Sequence, residues 1–324
     1  MGWIPIRARI KSQTWSLNLN KDILPLAIVG GGPAGLTAGL YAARAGIKAV
    51  LLSLPGGGMG AATDWVANYP GFPDGLSGFD LVERFRLQAD RAGLMFITAH
   101  IDRIRSNEIL FHLEGSGEQW VARSVIVATG AYPARLGVPG ESEYRGRGVS
   151  YCATCDGPFF RGKDIVVIGG GDSAIQEAIY LSNLASRVTV IHRRALLRAN
   201  QALQKIAFAK PNIVFRWETI LVDISGGESV TTVHFKSVTD GRVESLDVQG
   251  VFLYVGLKPN SELVAGFVDL DSQYAIITDP LMHTSVSGLF AAGDVRNTPL
   301  RQFATACADG AIAAQSTLHY LERI

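Results

Sequence analysis

Cysteine is scarce in this chain: three residues in 324. That is too few for the bridged scaffold of a small secreted domain. No second C-x-x-C and no paired histidines accompany them, which argues against zinc, and no metal is expected. Excess charge is missing too. Thirty basic residues against 29 acidic ones leave a net charge of +1, so bulk electrostatics do not suggest nucleic acid. No apolar run reaches the roughly 18 residues that a membrane span requires. What remains is 48% hydrophobic and 18% charged, the composition of a soluble globular protein of about two domains. A secretory leader is not evident, and a cytoplasmic location is expected. Residues 1–24 stand apart, with Arg7, Arg9, Lys11 and Lys21 against the single acid Asp22, and read as an N-terminal extension lying on the surface.

Two of the three cysteines fall together in Val149–Gly157, V-S-Y-C-A-T-C-D-G. A C-x-x-C beside a βαβ pattern reads as a working redox pair. Thiol–disulfide exchange needs one thiolate to attack and a second thiol to resolve the mixed disulfide, and Cys152 and Cys155 have that spacing. At a helix start, the positive helix end would lower the attacking thiol's pKa. Asp156 follows at once and can move the proton. A structural disulfide and a plain helix-start charge are the bland readings of the same residues. Cys307, on a helix rich in small residues, reads as buried packing.

A glycine-rich loop lies on each side of this motif. Leu26–Gly39, L-A-I-V-G-G-G-P-A-G-L-T-A-G, runs from an apolar strand through Gly30-x-Gly32-x-x-Gly35 into a helix. Gly30 suits a tight turn, Gly32 the approach of backbone to a pyrophosphate, and Gly35 close helix–strand packing. The second strand, Lys48–Leu52, ends at Ser53 where an acid would hold a ribose. Gly56–Gly60 carries almost no side chains and can lie against a flat ring. Phe96–Trp120 and Ile213–Val251 each read as a β-meander.

The second loop, Gly169-x-Gly171-x-x-Ala174, follows the strand Asp164–Ile168. The next strand, Val188–Ile191, runs into His192-Arg193-Arg194, with Arg198 one turn on. Guanidinium groups at that place suit a 2′-phosphate, and the pattern selects NADPH over NADH. The fold class that follows is α/β: two Rossmann-like three-layer nucleotide-binding domains, one inserted in the other.

These pieces, in this order, carry a family resemblance. G-G-G-P-A-G-L-T-A-G-L-Y-A-A-R-A-G at Gly30–Gly46, N-Y-P-G-F-P at Asn68–Pro73, V-A-T-G-A at Val127–Ala131 and C-A-T-C-D-G at Cys152–Gly157 are followed by G-G-G-D-S-A at Gly169–Ala174, G-L-K-P-N at Gly256–Asn260, A-A-G-D-V-R at Ala291–Arg296 and L-R-Q-F-A-T-A at Leu300–Ala306. Over Leu26–Leu321 the chain resembles low-molecular-weight flavoprotein thioredoxin reductase. The resemblance implies FAD in a discontinuous domain, 25–134 with 262–324, and NADPH in an inserted domain, 135–261, that carries the cysteines. It implies an FAD site of Gly30, Gly32, Pro33, Ala34, Gly35, Ser53, Met59, Asn68, Ala128, Thr129, Gly130, Gly293, Asp294, Arg301, Gln302 and Phe303. Its NADPH site is Gly169, Gly171, Asp172, Ser173, Ala174, His192, Arg193, Arg194 and Arg198. It also implies a homodimer, thioredoxin or a similar dithiol protein as partner, Cys155 facing the flavin, Cys152 attacking the partner, Asp156 as acid–base group, and rotation of one domain against the other about crossovers near Pro133–Pro139 and Gly256–Asn260.

Departures cluster on the flavin side. Met59 stands where the family has glutamine and Ala67 where it has glutamate, and Asp64 and Trp65 fall outside its usual pattern. Ferredoxin as donor is therefore an alternative that His192-Arg193-Arg194 argues against. A redox sensor without turnover is a second alternative.

Overall fold

The computed structural model describes residues 22–63, 65–107 and 109–324, with the side chains of all of these except Thr154 and Cys155. The expectations for the basic stretch 1–21 and for Asp64 fall outside the described residues. Leu24, assigned above to the extension, is instead the fully buried first residue of a strand. The chain divides into two compact units, Met1–Tyr132 with Lys258–Ile324, and Pro133–Leu257.

In the first unit the order is β1 (Leu24–Val29), α1 (Pro33–Arg44), β2 (Ala49–Ser53), the single turn α2 (Gly58–Ala61), α3 (Gly78–Arg91), β3 (Met95–Thr98), β4 (Arg103–Ser106), β5 (Phe111–Gly115) and β6 (Glu118–Val127). β1 is apolar on both faces, as a strand covered on both sides must be. Ala27 and Val29 enter one core, and Leu26 and Ile28 enter another beneath the helices. α1 starts with proline at its first position, where the missing N–H has no helical partner to lose. α3 starts at Ser77, whose hydroxyl accepts the Asp80 N–H at 3.0 Å. The sheet runs β3-β2-β1-β6-β5-β4. The meander expected over Phe96–Trp120 is therefore smaller. β3 pairs with β2 in parallel, and only β4, β5 and β6 form the antiparallel meander. A short apolar strand carries no mark of its direction, but the helix before it does: a strand–helix–strand crossover gives parallel neighbours.

β7 (Ala131–Pro133) leads into the second unit, which continues with β8 (Val149–Ser150), the one-turn α4 (Ala153–Asp156), β9 (Asp164–Ile168), α5 (Asp172–Ser182), β10 (Arg187–Ile191), α6 (Gln201–Phe208), β11 (Ile213–Arg216), β12 (Thr219–Gly226), β13 (Val230–Ser237), β14 (Val243–Asp247) and β15 (Gly250–Leu253). A parallel sheet, β11-β10-β9-β15-β8, lies between α5 and α6 on one face and the antiparallel β12-β13-β14 on the other. The second expected meander thus loses both ends, since β11 and β15 join the parallel sheet. Beyond β16 (Leu257–Pro259), the chain adds β17 (Leu289–Ala291) beside β6 and ends in α7 (Phe303–Leu321).

α7 crosses α1 at backbone contact. A Cβ on Gly310 would overlap the Ala34 carbonyl oxygen and sit 3.0 Å from the Ala38 nitrogen. Backbone cannot step aside as a flexible side chain can. Gly310→Ala is expected to cost about 1–3 kcal/mol, the usual cost of overpacking. A thermal melt of the variant beside the parent checks it.

Candidate active site

The three glycines of the first loop do three different things. Gly30 has φ +117°, and a Cβ there would overlap the Ala128 carbonyl. Gly35 packs against the Gly30 carbonyl, again with no room for a Cβ. Gly32 is extended, and a Cβ on it would meet nothing nearer than the Gly57 carbonyl oxygen at 3.9 Å. Two glycines are thus required by packing, while the third keeps an open face at the start of α1. Pro33 and Ala34 open that helix, and Ser53 at the end of β2 lies against Gly31. Gly56, Gly57 and Gly58 all have positive φ, a run that side-chain-bearing residues rarely adopt. Met59 follows them, exposed, and its thioether offers no N–H donor.

The C-terminal part returns to this loop. Gly293 has φ +78°, and its missing Cβ would lie 2.9 Å from that of Ala34, which sets Asp294 beside the start of α1. Burial pushes the Asp294 carboxyl above its usual range, and the charge of Arg301 opposes that shift. The Arg301 Nε is buried without a hydrogen-bond partner among the described residues. Several other expected FAD residues use their polar groups inside the protein. Gln302 caps α7, and its amide oxygen also accepts the Asn68 Nδ2 at 2.9 Å. Thr129 donates its hydroxyl to the Asn260 carbonyl at 2.7 Å, and Gly130 accepts the Asn260 N–H at 2.9 Å. Phe303 packs edge-on to Tyr69 and Phe85. Cys307 is a free thiol, pushed up by burial, beside the Tyr69 hydroxyl.

One pair here escaped the sequence. Asp309 of α7 accepts Arg296 Nε at 2.7 Å and Nη2 at 2.9 Å, and also the Gly293 N–H at 3.1 Å. The pair is almost fully buried. The one available signal was an acid set among the small residues of α7. Asp309→Asn breaks a bidentate charged pair that holds the Gly293–Asp294 turn. It is expected to weaken FAD retention roughly tenfold or more, read as the bound flavin surviving gel filtration.

In the second unit Gly169 has φ +147°, and a Cβ would lie 2.5 Å from the Tyr254 carbonyl oxygen. Gly171 is open, like Gly32, and precedes α5 with Asp172, Ser173 and the buried Ala174. The Asp172 carboxylate accepts the Asn200 N–H at 2.7 Å, so it braces the loop. The Gly170 carbonyl accepts the N–H groups of Arg198 and Ala199. His192 departs from the expectation of a cationic ligand. It is buried under Gly170, with Nε2 3.1 Å from the Leu196 carbonyl oxygen. Burial, and behind it the three neighbouring arginines, hold its pKa below the usual histidine value. The charge is left to Arg193, Arg194 and Arg198, all exposed and none paired with a carboxylate among the described residues.

The cysteines begin where β8 ends. Cys152 is disulfide-bonded. Its N–H is accepted by the Ser150 hydroxyl at 3.0 Å, and its carbonyl accepts the Ser150 hydroxyl and the Asp156 N–H. The helix expected here is one turn, Ala153–Asp156, followed by a 3-10 turn, Gly157–Phe160. So short a helix sums few peptide dipoles, which leaves little of the helix-end field expected at the sulfur. A carboxylate overlooked in the sequence sits close by in the chain. Glu141, 2% exposed, accepts the Leu136 and Gly137 N–H groups and the Tyr151 hydroxyl at 2.5 Å. Burial and that hydrogen bond push Tyr151 up to about 12. Among the described residues no cluster of three or more His, Cys, Asp or Glu could hold a metal, and no helix is long and apolar enough to cross a membrane.

Two open glycine loops, each at the carboxyl end of parallel strands, and a disulfide in the second unit describe a nucleotide-dependent disulfide oxidoreductase. The residues fit the implied groups: Gly32 leaves a cradle that a Cβ would narrow and Arg301 Nε lacks a partner among the described residues, while Arg198 reaches the open Gly171 and Arg193 and Arg194 stand near the His192 that packs under the same loop. A family model for pyridine nucleotide-disulphide oxidoreductase matches residues 24–310, and the chain belongs to that family. Within it, the likeness is to thioredoxin reductases. That of Treponema pallidum is 43% identical over 298 residues, covering 92% of this chain and 97% of the relative. The crystal structure of Lactococcus lactis thioredoxin reductase superposes with a TM-score of 0.91 at 39% identity, covering 93% of this chain and all of that one. A ferredoxin-flavin thioredoxin reductase from Clostridium acetobutylicum stands further off, at 27% identity and a TM-score of 0.50.

Proposed function

We propose that this chain is an NADPH-dependent thioredoxin reductase with a Cys152–Cys155 redox disulfide. The observation that carries the reading is the disulfide at Cys152 in the same unit as a glycine loop that Arg198 reaches, with Arg193 and Arg194 near the His192 beneath it. FAD belongs to the discontinuous unit, which resumes at Lys258, and NADPH to the inserted one, Pro133–Leu257. A bound FAD would supply the two-electron chemistry that links NADPH to the disulfide.

The chain's own residues do the rest. Gly30, Gly32 and Gly35, with the start of α1, cradle the pyrophosphate of FAD. Asp294 accepts ribityl hydroxyls, and Arg301 donates its unpartnered Nε. Arg193, Arg194 and Arg198 hold the 2′-phosphate of NADPH, seated by the neutral His192. Once the pair is reduced, the Cys152 thiolate attacks one sulfur of the partner's disulfide, and the other sulfur of that bond leaves as a thiolate. Cys155 then attacks Cys152 in the mixed disulfide, which re-forms Cys152–Cys155 and releases the partner with both sulfurs reduced. Asp156 takes the proton from the attacking thiol and returns it to the departing one.

Thioredoxin or a similar dithiol protein is the partner, the working form is a homodimer, and the reaction suits the cytoplasm. Neither nucleic acid nor a membrane has a part in it. The test is the donor: turnover of thioredoxin with NADPH and none with reduced ferredoxin is the expected result. Turnover with ferredoxin alone would refute the NADPH assignment.

A further inference from the structure

Tyr254 touches two sites at once, and neither the two nucleotide fingerprints nor the cysteine motif includes it. It follows β15, which pairs in parallel with β8 through Phe252 and Ser150. Two residues beyond that register pair come Tyr254 after one strand and Cys152 after the other. The Tyr254 hydroxyl accepts the Ala153 N–H at 2.9 Å. Ser150 serves the same turn by accepting the Cys152 N–H at 3.0 Å. The main chain of Tyr254 lies along the second glycine loop: its N–H bonds the Ile168 carbonyl at 2.8 Å, and its carbonyl fills the space where Gly169 would carry a Cβ.

We propose that Tyr254 is a positioning residue for the redox disulfide: its hydroxyl fixes the Ala153 amide, and with it the turn that presents Cys152. The inference rests on the reading of Cys152–Cys155 as the exchanging pair. A disulfide needs both sulfurs held at bonding distance, and a dithiol does not. A turn fixed at Ala153 therefore favours the oxidised form. Burial and the nearby Glu177 carboxylate push the hydroxyl well above the usual phenol range, so it stays protonated and neutral at neutral pH.

Tyr254→Phe removes the hydroxyl and keeps the ring. The purified holoenzyme and the variant are equilibrated anaerobically, without NADPH, in mixtures of oxidised and reduced dithiothreitol. The Cys152 disulfide is then quantified by alkylation and mass spectrometry. In Tyr254→Phe the equilibrium is expected to move toward the dithiol about tenfold, or about 30 mV for a two-electron couple. Ser150→Ala, acting on the same turn, is expected to move it in the same direction. NADPH affinity, read by equilibrium dialysis, is expected to stay within about twofold of the parent, because the contacts to the glycine loop are main-chain. A Tyr254→Phe titration that overlays the parent overturns the proposal, as does a loss of NADPH affinity as large as the redox shift. A parent whose disulfide never exchanges would instead strike the reading of Cys152–Cys155 on which the proposal stands.

Discussion

Cys152→Ser is expected to lower thioredoxin turnover by roughly a thousandfold or more, the scale seen when a nucleophile is removed, while NADPH still reduces the flavin. Serine fits the space of cysteine and keeps the N–H that Ser150 accepts, so the turn survives. What disappears is the sulfur that attacks the partner, and a hydroxyl cannot form a disulfide in its place. Cys155→Ser has a different signature. Cys152 would still attack the partner, but nothing would resolve the product. A mixed disulfide with thioredoxin should therefore accumulate, visible on a non-reducing gel as a band at the summed mass. Stopped-flow bleaching of the flavin band and steady-state turnover separate the two half-reactions. Turnover that persists in Cys152→Ser would assign the attack to another group.

The second large effect is expected at the guanidiniums. Arg193 and Arg194 are exposed and have no carboxylate partner among the described residues, so neither is committed to the fold. Each charge-assisted bond to a 2′-phosphate is worth about 1.5–3 kcal/mol. Removing two of them should lower kcat/KM for NADPH by roughly a hundred- to a ten-thousandfold, with Arg198 retained. NADH lacks the phosphate and should change little, so the preference for NADPH collapses instead of both donors failing together. The effect should shrink as salt is added, because exposed charges are screened beyond about 8 Å at physiological ionic strength. An unchanged NADPH to NADH ratio would mean that the phosphate is bound elsewhere. His192, although it begins the same run, belongs to the packing beneath Gly170 and not to this charge.

The glycine loops were legible in the sequence because their constraints are local. Gly30 needs a positive φ and Gly35 a missing Cβ against the Gly30 carbonyl, both within the same few residues, and the distant Ala128 only adds to the demand at Gly30. The strands and helices around them follow from apolar runs and caps. Strand direction was not legible: β3 and β11 look like meander strands until the crossover before each is counted. The polar pairs that hold the site were hidden for another reason. Asp309 meets Gly293 and Arg296 across a loop and half a helix, and Tyr254 meets Ala153 across 101 residues. Beyond the small residues around Asp309, nothing in a local pattern distinguishes such an acid or phenol from one on the surface. Conversely, Gln302 and Thr129 stand in motif positions, yet their polar groups bond Asn68 and Asn260.

Anaerobic titration of the holoenzyme with NADPH tests the whole electron path at once. The account has two two-electron acceptors per chain, the flavin and the Cys152–Cys155 disulfide. Absorbance near the flavin maximum should fall with uptake of about two equivalents of NADPH per chain, and Cys152→Ser should take up about one. Adding oxidised thioredoxin should then restore the colour in the parent and not in the variant. A flavin that stays oxidised under excess NADPH would contradict the account.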